Sequence, residues 1–303
     1  PRDPSLPPLL IEMADAAVPL WWFRFVEDNY AEAVNIAGWD AIASMPAVPP
    51  FLMRWCKKAA PLSNPDRLST CAPELIKVRR STRGPDHIDT AIDEFEIGRL
   101  YREHQLVAEA TPLLEHAIPI VLRELPRDHP IRPFALREQG ILAQARGDNG
   151  AALAAFREAA ALWDTSPDTG HRELAYLYAR IGNSERSLGN DAEAATAFRH
   201  CRDRLLVHAV YDRVQQSNCW MGLSLSLQAQ GRLDAAEASF KEHLAWTKGS
   251  ATDTPRMDGR GCKVLLESYA GLLRELGRGD EAAAMDARAA TFNDPGARIN
   301  GCL

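Results

Sequence analysis

The sequence predicts an all-α protein built as a solenoid of about five stacked helix pairs behind an N-terminal helical capping region. Two observations carry that prediction. Residues 134–163, FALREQGILAQARGDNGAALAAFREAAALW, read as two short antiparallel helices: Gly140 sits where the first must pack closely, Gly147 ends it, and Ala152 with Phe156 four residues later marks the second. The chain then repeats the unit, because Gly147 is followed by Gly189 and Gly231 at steps of 42 residues and by Gly277 at a step of 46. A period of this length is the signature of a repeat array.

With units beginning at Ala91, Pro133, Ala175, Ser217 and Lys263, position 8 reads Gly98, Gly140, Gly182, Ser224 and Ala270, all small. Position 20 is Ala110, Ala152, Ala194, Ala236 and Ala282, and position 24 is Leu114, Phe156, Phe198, Phe240 and Asp286. Small residues let the two helices approach, and the position-24 ring fills the space between them. The first helix of each unit ends at the glycine, which accepts the left-handed conformation just past a helix end, and the first unit has Gln105 there instead. The extra length falls after position 27, where Ala159 to Trp163 and Arg202 to Val210 prolong the second helix and Pro167 or Tyr211 marks its end. The step of 46 reflects a long polar connection between Thr247 and Gly261, the expected mobile loop of the array. In the last unit Asp286 replaces the ring, as suits a terminal unit with a solvent-facing side.

This pattern resembles the tetratricopeptide repeat, whose short form carries W-x2-L-G-x2-Y followed by A-x3-F; the longer spacing is similar to the variety in kinesin light chains and some bacterial regulators. The resemblance covers about 91–290 and departs at position 4, which reads Glu94, Leu136, Tyr178, Trp220 and Leu266. It implies a right-handed α-solenoid whose first helices line a concave groove for a protein or peptide partner. Carried over by position, the peptide-binding residues are Phe134, Arg137, Ile141 and Gln144 in the second unit, Tyr176, Arg180, Asn183 and Arg186 in the third, and Asn218, Met221 and Leu225 in the fourth. Their basic and amide-rich centre, Arg137, Arg180, Asn183, Arg186 and Asn218, suits an acidic or C-terminal segment, because a guanidinium binds a carboxylate at two points. The opposing expectation is arginines paired with neighbouring carboxylates such as Glu138 and Glu185. The chaperone-tail clamp of the family is not reproduced: Asn183 fits one of its places, whereas Ala179 and Gly222 occupy two others.

Outside the array, residues 1–78 read as helices without the repeat, at 9–17, at 21–37 and from Phe51 to Pro61, with Pro46, Pro49 and Pro50 breaking the pattern. The cluster Trp21, Trp22, Phe23 and Phe25 is expected to cap the first unit. From Phe51 to Pro85 eight Lys or Arg face Asp66 and Glu74, so residues 79–90 are expected as a basic, solvated linker. The tail, 291–303, has turn residues and no apolar face.

Composition narrows the function. With 46% hydrophobic and 25% charged residues the chain is a folded, soluble type, and its net charge of -6 argues against nucleic acid. The apolar run Ala16 to Phe23 is too short to span a membrane, and no secretory signal is apparent. Six cysteines, at 56, 71, 201, 219, 262 and 302, form no C-x-x-C pair and are expected as reduced thiols in the cytoplasm, Cys201 as a small core residue. No P-loop, H-E-x-x-H or G-x-S-x-G motif occurs, so no cofactor, metal or catalytic residue is assigned. His171-x-Glu173 lacks the cysteine pair of a zinc deaminase. His200 and Cys201 are adjacent on a helix, pointing about 100° apart, so the cysteine should face inward and the histidine outward.

The leading expectation is a non-enzymatic protein-interaction module. The alternatives are the sensor portion of a larger signalling ATPase or transcriptional regulator, consistent with a chain that begins at Pro1, and an enzyme with a helical pocket, which clustered and pocket-facing His, Asp and Glu would support.

Overall fold

The computed structural model describes residues 65–164, 170–207, 213–248, 257–293 and Cys302. The expected helices of residues 1–64, the connection 249–256, Pro167, Tyr211 and most of the tail lie outside them. Among the described residues there are eleven α-helices and no strand. They are α1 (Pro65–Arg83), α2 (Ile88–Glu103), α3 (Val107–Glu124), α4 (Arg132–Ala145), α5 (Asn149–Asp164), α6 (Gly170–Ser187), α7 (Asp191–Val207), α8 (Arg213–Ala229), α9 (Leu233–Thr247), α10 (Gly259–Glu275) and α11 (Gly279–Ala290). From α2 onward they form five helix pairs of the solenoid type. The chain divides into two compact units, 1–139 and 140–303.

In the first unit α1 presents Leu68, Ala72, Leu75 and Val78, at helical spacing, to the interior. Its last turns correct the expectation of an open basic linker. The helix runs through Arg83, Arg79 pairs with Asp93, and Arg80 donates to Glu94 at 2.7 Å. Burial explains the change: the Asp93 and Glu94 side chains are almost wholly enclosed and would be costly without cations beside them. Thr90 Oγ1 then donates to the Gly84 carbonyl at 2.9 Å and fixes the turn between α1 and α2.

The helix ends follow the predicted chemistry. Gly147, Gly189, Gly231 and Gly277 have φ of 79°, 79°, 70° and 74°. At the first, Gly147 N–H donates to Gln144 O (2.9 Å) and Asp148 N–H to Ala143 O (3.0 Å), the Schellman arrangement. Gln105 takes the same role without being glycine, with φ 63° and the bond Leu106 N–H to Tyr101 O at 2.8 Å.

Packing in the second unit depends on the small positions. A Cβ added at Gly182 would lie 2.8 Å from the Phe198 ring, and one at Gly222 would also collide with it. Gly222 is therefore a packing residue. Where Ser224 replaces the position-8 glycine, its hydroxyl donates to the Trp220 carbonyl (2.9 Å) and shares a hydrogen bond with Ser239 (2.8 Å). Phe156, Phe198 and Phe240 are all fully enclosed.

The cysteines correct the sequence reading. Cys201 of α7 is bonded to Cys219 of α8, and Cys262 of α10 to Cys302 of the tail, with Cα separations of 5.8 and 5.0 Å. Spacings of 18 and 40 residues give no sequence signal, since only stacking of the helices brings these sulfurs together. The tail is also not featureless. Phe292 packs on the core, and Cys302 is enclosed between α9 and α11, donating its N–H to Thr247 Oγ1 and accepting from Arg288 Nε, both at 3.3 Å.

Candidate binding surfaces

The predicted groove residues fall into distinct situations. In the compact unit 1–139 the Phe134 ring lies under two guanidiniums, Arg99 at 4.4 Å and Arg137 at 5.4 Å from its centroid. Arg137 also turns to its neighbour Glu138, which is fully enclosed and receives Arg137 Nη2 at 3.0 Å and Arg102 Nη2 at 2.8 Å. Arg137 is thus engaged with a buried carboxylate, the pairing with Glu138 that the opposing expectation named. A carboxylate without water needs its cations nearby.

In the second unit Gln144 is likewise engaged, donating to Ser184 Oγ at 2.9 Å and accepting from Arg180 Nη1 at 3.1 Å. Ile141 and Tyr176 are half-buried, and Leu225 packs partly on the core. Asn183, Arg186 and Asn218 are exposed, and their side chains have no hydrogen bond or ion pair among the described residues.

Asn218 and Met221 line a cleft of about 790 Å³ between the first two turns of α8 and α10, with Arg213, Val214, Ser217, Met257, Asp258, Arg260, Gly261 and Val264 completing it. Val264 holds the same place in the fifth unit as Asn218 in the fourth, so extending the positional rule one unit further would have found it. Val214 is 74% exposed and Val264 48%. Asp258 caps α10 by accepting from Gly261 N–H at 2.7 Å. Behind Ser217 stands His243, fully enclosed, with Nε2 3.1 Å from the serine hydroxyl and its ring stacked 5.7 Å from that of Trp220. Burial pushes its pKa down to about 3, which keeps the ring neutral.

A second cavity, about 540 Å³, opens between α5 and α7 over α6. Its lining includes Arg157, which pairs with the enclosed Glu185, and Tyr178, whose ring is 5.1 Å from that of exposed His200. His200 faces outward and Cys201 inward as expected, and the disulfide removes the thiol of a possible dyad.

A group of acids around a histidine sits in the compact unit 1–139. Glu94 accepts from Arg80 and lies 2.5 Å from His116 Nδ1, whose Nε2 is 3.3 Å from Asp86. Burial raises Asp93 to about 6, with Arg79 opposing the shift. These groups are used to hold α1 and α3 on α2. Among the described residues no group of three or more His, Cys, Asp or Glu is arranged to hold a metal ion, and no helix is long and apolar enough to cross a membrane.

No protein-family model matches the sequence, and no curated protein matches it. Solved structures match in fold. The tetratricopeptide-repeat-bearing Signal Transduction ATPase with Numerous Domains of Pyrococcus horikoshii aligns with a TM-score of 0.63 at 14% identity, over 94% of this chain and 41% of that one. Aspartyl phosphate phosphatase F of Bacillus subtilis gives 0.56 at 11%, over 96% and 75%. The repeats of a kinesin light chain of Podospora anserina give 0.54 at 16%, over 69% and 100%. The fold is therefore that of the tetratricopeptide-like α-solenoids. At such identities the likeness carries architecture alone, and these three proteins bear three different functional names.

Proposed function

We propose that this protein is a non-enzymatic interaction module that binds a segment of a protein partner along the first helices of its repeats. The observation that carries this reading is the division of labour on those helices. Gly140, Gly182 and Gly222 are consumed by packing, while Asn183, Arg186 and Asn218 project outward with their polar groups unspent. Arg180 joins them at the surface, held by Gln144. Amides that can grip a peptide backbone beside guanidiniums that can grip carboxylates suit an acidic segment. The partner-binding set is accordingly Arg180, Asn183, Arg186 and Asn218, with Ile141, Tyr176, Met221 and Leu225 as apolar contacts.

Titration with acidic and neutral peptides in rising salt tests it. Affinity should fall with ionic strength and with Arg180→Ala and Arg186→Ala; affinity indifferent to both sinks the acidic-segment reading. Arg137 is a poor probe, since its loss would leave the enclosed Glu138 with Arg102 alone.

The likeness to the Pyrococcus horikoshii signalling ATPase supports a second reading, a sensor portion of a larger regulator. A nucleotide-binding P-loop encoded in the same reading frame would favour it. Two disulfides also weigh towards an oxidising compartment, because the cytoplasmic expectation rested on reduced thiols.

A further inference from the structure

One cysteine of each disulfide lies in the helical turns that wall the α8–α10 cleft. On α8 the cleft is lined by Ser217, Asn218 and Met221, and Cys219 lies among them in sequence; on α10 it is lined by Arg260, Gly261 and Val264, with Cys262 among them. At about 100° per residue both cysteines point to the back of the wall, and both are fully enclosed. Each wall is thus tied from behind to a different element, α8 to α7 through Cys201 and α10 to the tail through Cys302. At their far ends the two helices are drawn together, where Gln228 Nε2 donates to Glu275 Oε1 at 2.6 Å.

The chemistry of the cleft has two parts. Val214, Val264, Met221 and Met257 supply an apolar surface, and Val214 and Val264 are among the most exposed large hydrophobic residues described. At the rim stand Arg213 and Arg260 against Asp258, whose carboxylate already caps α10; Arg260 has no ion pair or hydrogen bond among the described residues. A volume of about 790 Å³ admits a few residues of an extended polypeptide.

Resting on the interaction-module reading, we propose that this cleft anchors an aliphatic side chain adjacent to a carboxylate on the partner polypeptide, and that the two disulfides fix its walls so that the oxidised protein binds more tightly. The aliphatic group covers the exposed valines and thioethers, and the neighbouring acid meets Arg260. Reduction unties both walls while leaving the Gln228–Glu275 end in place.

Fluorescence polarisation on the full chain tests this with labelled peptides centred on Asp-Leu-Asp, Asp-Ser-Asp and Lys-Leu-Lys. The first should bind at least about tenfold more tightly than either other, and Val264→Asp or Val214→Asp, both at exposed positions, should weaken it about tenfold. Adding a phosphine reductant should weaken it similarly, with faster hydrogen exchange at 213–221 and 258–264. Equal binding of the three peptides, or indifference to both valine variants, overturns the anchor. Affinity and exchange unchanged by the reductant overturn the role of the disulfides. Peptides from a random library that bind through Arg180 and Arg186 yet ignore Val264→Asp would leave the module reading standing and this one fallen; a library with no binders removes both.

Discussion

Gly182 lies against the face of Phe198 so closely that a single added methyl carbon would stand 2.8 Å from the ring. The contact is one instance of the small-residue rule that organises the repeats, as Gly140 against Phe156 is another. Gly182→Ala should therefore destabilise the protein by about 1–3 kcal/mol through overpacking, despite the better helix propensity of alanine. Gly271, inside α10 with nothing within 4 Å of an added Cβ, is the control. Gly271→Ala should stabilise by about 0.5–1 kcal/mol. Urea unfolding followed by circular dichroism reads both, and equal signs would contradict the packing account.

Gln105 holds a left-handed conformation that glycine holds at the four later helix ends. A residue with a side chain is less favourable there by about 1–2 kcal/mol, part of which glycine returns through the greater freedom of its unfolded chain. Gln105→Gly should raise stability by up to about 1 kcal/mol, seen as a higher denaturation midpoint with an unchanged slope.

Two buried groups, His243 and Asp93, predict opposite dependences on pH. His243 is depressed to about 3 by burial, so its contribution is complete above the ordinary histidine range and is lost as pH falls from about 6.5 towards 3. Asp93 is raised to about 6, mainly by burial, so its contribution is complete below the ordinary aspartate range and is lost as pH rises through 6. Each changes stability by at most ~1.4 kcal/mol per pH unit. His243→Phe, which keeps a ring against Trp220, should flatten the loss of stability between pH 6 and 4. An unchanged acid limb would show that His243 is not its source.

The bond from Cys262 to Cys302 closes a loop of 40 residues around α10, α11 and the tail. Cys302→Ser should lower stability by about 2–4 kcal/mol, measured by thermal melts with and without reductant. The reductant should have a smaller further effect on the variant than on the parent chain.

Much of the fold is legible in the sequence because its determinants are local and periodic. The glycines at 147, 189, 231 and 277 declare helix ends through their own backbone conformation, and the glycines facing Phe156 and Phe198 declare helix pairs through spacing within one unit. The candidate surface is legible only in part. Asn183, Arg186 and Asn218 stand exposed at their repeat positions, whereas the sequence offers both a partner's acid and Glu138 for Arg137, and only the fold shows that Glu138 is enclosed. The cleft is walled by the first helices of two successive repeats, α8 and α10, and the basic stretch at Arg79 and Arg80 is paired across the turn with Asp93 and Glu94.

By itself, then, the sequence determined the class of fold, the period, the helix ends and the residues consumed in packing, all of which follow from interactions within a few turns. Tertiary structure alone decided which cysteines are bonded, which arginines are spent on buried carboxylates, and where α8 and α10 part to leave a cleft. Those features depend on distances between residues remote in the chain, which stacking of successive helix pairs sets and no short stretch encodes.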